Sequence, residues 1–269
     1  MTPEASRHPR AVEEISPAAL RESLDKLGVG YPILDFDGTL IDSLSVFLAG
    51  IDSAIQELCP DPERIPEFNE QFLEMVGRLR LEFHVNREIL LWPTHITARQ
   101  LGLPPDHPKV RAAETKIHQI YDQDPYPLLP GAKETVIKFF EAGLDPIMVT
   151  HAGERYTERK LRQTGLAGMF KEVVCLSVDR PKRDQWSGCF QKLAIPPEKV
   201  LMIGDNWKED IEPTVALGTR GVWINSKPEG REFGRNNHRL SEEGEGRVLT
   251  VNSIGAVIES LVTAGNSRE

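Results

Sequence analysis

The segment Ile33-Leu-Asp-Phe-Asp-Gly-Thr-Leu40 sets two carboxylates, Asp35 and Asp37, one residue apart and follows them with Gly38 and Thr39. Further along, Thr150 and His151 close an apolar run, Arg180, Lys182 and Arg183 form a cationic cluster, and Gly204-Asp205 is followed by Asp210. Carboxylates can hold a hard cation, attack an electrophile or move a proton, while a lysine and a hydroxyl can hold an anion beside them. Each feature alone has a plainer use. Asp-x-Asp is often a turn or a helix cap. Thr150 is β-branched and suits a strand. Lys182 lies in a charged loop, and Asp210 could N-cap the next helix with Pro213 harmless in its first turn. What separates the two uses is where these residues fall relative to the strands.

Tyr31–Phe36 is a short apolar strand, and Leu44, Phe47, Leu48, Ile51, Ile55 and Leu58 then fall at helical spacing. Helical patterns continue over Pro66–Val76, Leu79–Leu101 (interrupted near Pro93) and His107–Tyr121. After residue 124 the rhythm changes. Apolar strands are predicted at Leu144–Thr150, Val173–Val178, Val200–Gly204, Gly221–Ile224 and Arg247–Val251. Helices at Gly131–Ala142, Glu154–Thr164, Arg183–Leu193, Asp210–Leu217 and Ile254–Leu261 alternate with them. Alternation of this kind means βαβ units on a parallel sheet. The predicted fold is therefore α/β, a Rossmann-like parallel sheet sandwiched by helices with an all-helical domain inserted after the first strand. Residues 1–28 form an N-terminal extension, in which Ser16-Pro17 starts a helix; residues 29–43 and 125–269 form the core, and 44–124 the insertion. Residues 226–246, rich in Gly, Glu, Arg and Asn, are expected to form a loop. In such a sheet, ligands gather at the carboxyl ends of the strands. Asp35, Asp37, Thr150, Lys182, Asp205 and Asp210 all fall there.

A net charge of −9 argues against a nucleic-acid partner, which usually meets a basic face. Cys59, Cys175 and Cys189 form no CxxC pair, so neither a disulfide framework nor a zinc cluster is indicated. With no apolar h-region near the N-terminus and no long apolar run, a soluble, cytoplasmic protein without a membrane partner is expected. His84, His95 and His118 lack the i, i+4 spacing of a zinc helix and are expected to be structural or surface residues. His151 could touch a substrate, Trp207 could wall the site or pack, and Trp92 and Arg99 could meet a leaving group.

The order of these motifs resembles the haloacid dehalogenase (HAD) superfamily. Hydrophobics followed by Asp-x-Asp-Gly-Thr match residues 33–39, Pro146-Ile-Met-Val-Thr150 matches the second motif, Lys182 the third, and Gly204-Asp205 with Asp210 the fourth. The likeness covers residues 31–43 and roughly 125–225, and the insertion looks like a C1-type cap. His151-Ala152 and the order Pro181-Lys182 depart from the usual pattern, which leaves Arg180 and Arg183 as alternatives for part of the lysine's role. The resemblance implies a Mg²⁺-dependent phosphatase acting on a small phosphorylated metabolite. Asp35 would be the nucleophile that becomes an aspartyl phosphate, and Asp37 the general acid and base. Asp35, Asp205, the Asp37 carbonyl and Asp210 would form the metal site, with Asp210 orienting metal-bound water or Lys182. Thr150, His151, Lys182, Gly38, Thr39 and nearby amides would hold the phosphoryl oxygens.

Superfamily members that displace halide lack the second aspartate, because halide leaves without a proton. Asp37 thus favours a phosphate ester. A phosphomutase shares every core residue named, and a non-catalytic binding or assembly protein on the same fold is the third expectation.

Overall fold

In a computed structural model, residues 14–82, 88–122, 126–226 and 246–267 are described. Residues 1–13 of the expected N-terminal extension, His84, and most of the 226–246 loop lie outside them, as does the predicted domain boundary at residues 124/125. Six strands form one parallel sheet in the order β3-β2-β1-β4-β5-β6. They are β1 (Tyr31–Leu34), β2 (Ile147–Thr150), β3 (Glu172–Cys175), β4 (Val200–Gly204), β5 (Arg220–Ile224) and β6 (Val248–Val251). The order places β1, which carries Asp35 at its end, between β2 and β4, which carry Thr150 and Asp205.

Alternation along each strand divides the core into two layers. Leu34, Met148, Leu201 and Ile203 join the cluster on one face, while Ile33, Val149, Val200 and Met202 join the cluster on the other. The first layer is covered by α1 (Pro17–Lys26), α6 (Ala132–Glu141) and α10 (Val257–Asn266). Ser16 caps α1 by accepting from the Ala19 N–H at 3.2 Å, and α1 packs against α10. α7 (Glu154–Thr164), α8 (Trp186–Leu193) and α9 (Glu212–Ala216) complete the core helices.

The helical block consists of α2 (Ser43–Leu58), α3 (Ile65–Glu82), α4 (Glu88–Gln100) and α5 (Pro108–Tyr121). It has its own apolar cluster, centred on Ile55, Leu58, Phe72 and Ile117, apart from the two that flank the sheet. The expected break at Pro93 does not occur: α4 runs through it. A proline inside a helix costs about 3 kcal/mol. The burial of Ile89, Leu90, Thr94 and Ala98 on one face of α4 offsets it.

Strand ends are shorter than the apolar runs suggest. Phe36 leaves the ladder because its carbonyl accepts from the Leu40 and Ile41 amides at 2.9 and 3.1 Å, turning the chain back on itself. Asp35 still donates its N–H to Ile203 O at 2.9 Å. The nucleophile candidate therefore sits where the sheet stops and a tight turn begins.

Leu24 is fully buried beneath α10, so Leu24→Ala is expected to cost about 2–5 kcal/mol through lost contacts and a residual cavity. Arg21→Ala, on the exposed face of the same helix, should stay within about 0.5 kcal/mol. Urea unfolding distinguishes them; equal midpoints would show that α1 is not part of the cooperative core.

Candidate active site

The carboxyl ends of β1 and β4 bring Asp35, Asp205 and Asp210 together, with one carboxylate oxygen of each within 4.8 Å of the others. Lys182, on a short 3₁₀ turn before α8, reaches into the cluster. Its Nζ lies 2.5 Å from Asp35 Oδ1 and 2.6 Å from Asp210 Oδ1. Thr39 is fully buried. Its hydroxyl lies 3.2 Å from Asp35 Oδ2 and 3.3 Å from Asp205 Oδ1, and it accepts from the Asp205 N–H at 3.1 Å. Thr39 thus works as a strut between the two carboxylates.

Two glycines make room for the acids. Gly38 has φ +85°, and a Cβ there would collide with Asp205 Oδ2. A Cβ on Gly204 would stand 2.6 Å from Asp210 Oδ2. The Gly38 N–H donates to Ile41 O at 2.9 Å. Gly38 contributes its positive φ and its missing side chain, not a free amide.

Asp210 does not cap a helix as its position suggested. After β4 the chain makes a π turn, Trp207–Ile211, before α9. Asn206 is the cap, accepting from the Glu209 N–H at 3.2 Å. The wide turn directs Asp210 inward, where Oδ2 accepts from the Asn206 N–H at 3.2 Å and Oδ1 faces Lys182. Of the three nearby cations, Lys182 is the one that pairs with Asp35. Arg183 turns instead to Glu209, with Nη1 3.0 Å from Oε1 and its own N–H 2.9 Å from Oε2. That clasp joins the Lys182 loop to the π turn. Arg180 lends its carbonyl to Gln185 Nε2 at 2.9 Å.

Two buried carboxylates, Asp35 and Asp210, and the partly buried Asp205 face one ammonium. Burial pushes Asp35 up to about 7, against the attraction of Lys182 and with Asp210 adding to the rise. Burial also raises Asp205, reinforced by the Asp35 and Asp210 charges. Burial works against the Lys182 ammonium, but Asp210 and Asp35 outweigh it and hold it above the ordinary lysine range. Such a cluster has excess negative charge and hard oxygen donors, so it fits a divalent cation such as Mg²⁺. Asp35, Asp205 and Asp210 each offer a carboxylate oxygen to such an ion.

Thr150 ends β2 and is buried at the same edge. His151 is next to it, with Nε2 2.8 Å from Ser177 O, and burial lowers its pKa. Trp207 packs edge-on against Trp223, with ring centroids 5.1 Å apart. In the helical block, His95 pairs with Glu114 at 3.0 Å and His118 is a helix residue in α5. Trp92 is about half exposed, and Arg99 lines a surface cleft with His95 and Leu103. These four residues are not part of the carboxylate cluster.

Lys160 was not foreseen. It is fully buried on α7, and its Nζ lies 2.6 Å from Asp37 Oδ1. The sequence shows α7 as a charged amphipathic helix, yet Lys160 shares its inner face with Thr157, Leu161 and Thr164. A lysine inside an otherwise inward-facing stripe was the available signal. Burial lowers its pKa, opposed by the Asp37 carboxylate.

The sequence profile of haloacid dehalogenase-like hydrolases matches residues 33–218. The chain belongs to that family. Among individual HAD relatives, a phosphoglycolate phosphatase of Photobacterium profundum is 24% identical over 185 residues, 66% of this chain and 76% of its own length. The fold is similar to that of a HAD-hydrolase from Bacillus subtilis bound to magnesium, with TM-score 0.61 at 16% identity, covering 87% of this chain and 98% of that one. It is also similar to the L-2-haloacid dehalogenase of Xanthobacter autotrophicus, with TM-score 0.59 at 15% identity over 86% and 97% of the two chains. The HAD core thus hosts more than one displacement chemistry, and the site must decide between them.

Gly38→Ala should remove activity and also lower stability, because the added methyl strains a φ of +85° and displaces Asp205 at the sheet's end. A variant as active as wild type would show that Asp205 can yield. A second expectation concerns pH. A folded pKa raised above the unfolded value gives stability that is present at low pH and lost as pH rises toward the folded value. In EDTA, the Asp35 contribution is therefore lost between about pH 4 and about 7. Asp35→Asn should melt higher than wild type at pH 8, and the difference should shrink toward pH 4. A lower melting temperature for the variant at pH 8 would contradict the burial argument.

Proposed function

We propose that this HAD hydrolase is a Mg²⁺-dependent phosphatase that cleaves a small organic phosphate monoester through an aspartyl phosphate on Asp35. The observation that carries this reading is the second carboxylate, Asp37, held apart from the Asp35–Lys182–Asp210 cluster by its own lysine, Lys160. An alkoxide needs a proton to leave and a halide does not. A separately held acid beside the nucleophile is what ester cleavage requires and carbon–halogen cleavage does not.

Phosphoryl transfer rests on positioning and charge neutralisation. Asp35 attacks phosphorus, and the bond to the leaving oxygen breaks as that oxygen takes a proton from Asp37. Water then attacks the phosphorus, gives a proton to Asp37, and the electron pair of the breaking bond returns to the Asp35 carboxylate. Lys182 offsets the charge on Asp35 and on the transferred group, and Asp210 keeps Lys182 aimed there. Thr150 stands beside the nucleophile as a donor to the phosphoryl oxygens, with His151 at the rim. Bound Mg²⁺ would supply the remaining charge neutralisation, and the magnesium in the related Bacillus subtilis structure supports that cofactor. The helical block α2–α5 serves as a cap that excludes water and reads the leaving group. The phosphatase relative makes phosphoglycolate the first compound to try.

A panel of phosphorylated metabolites including phosphoglycolate tests this with Mg²⁺, with EDTA and with Asp35→Asn. Phosphate release should need the metal and should fall by about a thousandfold or more when the nucleophile is lost. Undiminished turnover by Asp35→Asn would sink the mechanism. Halide release from a 2-haloacid would overturn the role of Asp37, and return of the phosphoryl group to a second hydroxyl would make the protein a mutase.

A further inference from the structure

Lys160 has a setting that a merely solvated or cluster-neutralising lysine would not need. A buried ammonium is costly unless a carboxylate and polarisable groups replace its water. Its one ion-pair partner among the described residues is Asp37, at 2.6 Å. Aromatic rings supply the rest. Nζ lies 3.9 Å from the Tyr156 ring centroid, 4.2 Å from that of Tyr126 and 5.8 Å from that of Phe36, all within cation–π range. Asp35 already has Lys182, so the second lysine is not needed to neutralise the nucleophile.

The cage is anchored to the helical block. Tyr126, in the segment returning from that block to the sheet, donates its hydroxyl to Ile120 O at 2.6 Å, near the end of α5. Tyr156 Oη lies 2.6 Å from Tyr126 Oη, and since the Tyr126 proton is committed to Ile120, Tyr156 is the donor there. One position along α7, Arg159 binds the Tyr121 carbonyl and lies 3.1 Å from Asp122. Tyr121 in turn packs against Tyr156 and Phe47. One face of α7 therefore grips the junction of block and core through Tyr156 and Arg159. The same face puts Lys160 between that grip and Asp37.

We propose that Lys160 is a positioning residue for Asp37, fixing its carboxylate beside the nucleophile from a Tyr126–Tyr156 cage that is tied to the junction with the helical block. This rests on the reading of Asp37 as general acid and base. Asp37 must meet the leaving oxygen in the first step and the attacking water in the second, so its carboxylate must stay within one small region through both. A two-bond side chain that is one-third exposed does not hold itself there. The Lys160 ammonium confines it, and the rings confine Lys160.

The test uses p-nitrophenyl phosphate with Mg²⁺ and excess enzyme in a single turnover. Release of p-nitrophenolate needs no proton and reads the first step; release of inorganic phosphate reads the second, which needs Asp37 as base. Lys160→Met should leave the first within about twofold and slow the second by about 10- to 100-fold, part of a general base's usual contribution. In an Asp37→Asn background the same substitution should add less than about twofold, because two residues that act as a unit are not additive. Equal losses in both backgrounds, or equal slowing of both steps, would show that Lys160 only packs and would overturn the inference alone. If Asp37→Asn leaves phosphate release unchanged, the assignment of Asp37 fails and the inference falls with it. Should Lys160→Met not fold, Tyr126→Phe keeps the ring but cuts the tie to Ile120. It should slow phosphate release about three- to tenfold only when Asp37 is present; no change would overturn the tie.

Discussion

Everything at the site depends on one buried ammonium. Lys182 is held between Asp35 and Asp210, and without it three carboxylates would face one another away from water. Removing one member of a buried pair costs about 3–5 kcal/mol, because it strands the other charge. The surroundings reflect that constraint. Thr39 braces Asp35 against Asp205, glycines at positions 38 and 204 give up their side chains to the carboxylates, and a π turn swings Asp210 inward. The Arg183–Glu209 clasp, half exposed, fastens the loop that carries Lys182 to the turn that carries Asp210. A charge-crowded site is thereby fixed to the strand ends.

The two lysines divide the work by location. Lys182 is deep, touches Asp35 and belongs to the sheet's edge. Lys160 is equally buried but belongs to a helix packed against the junction with the helical block, and its partner is the more exposed acid. The Asp-x-Asp spacing makes this possible. Asp37, three positions past the strand end, lies beyond Phe36, so the two carboxylates meet different cations although only one residue separates them.

Much of this was legible in the chain itself. Strand–helix alternation gave the parallel sheet, and the positions of Asp35, Thr150 and Asp205 at the ends of apolar runs placed them on one edge. Local patterns failed where a long-range contact decides. Capping preference would make Asp210 the start of a helix, but the ion pair to Lys182 and the π turn override it. The break at Pro93 followed backbone preference, and packing overrode it. The amide of Gly38 could not be known to be occupied until the turn to Ile41 was visible. Lys160 escaped notice because its carboxylate partner lies on a segment 123 residues away, which no periodicity on α7 can reveal.

The place of β1 in the sheet has a consequence for how the molecule is made. It is the first of the six described strands in sequence, yet its neighbours are β2 and β4, and Asp35 meets Lys182 across 147 residues of sequence. Contacts that distant form slowly, whereas the helical block between them is built from local ones and can collapse early. During synthesis β2 becomes available to one edge of β1 first, while the other edge waits until Ile203 and its neighbours emerge to complete the ladder. The carboxylate cluster is complete only once β4 and the turn that follows it are in place beside β1.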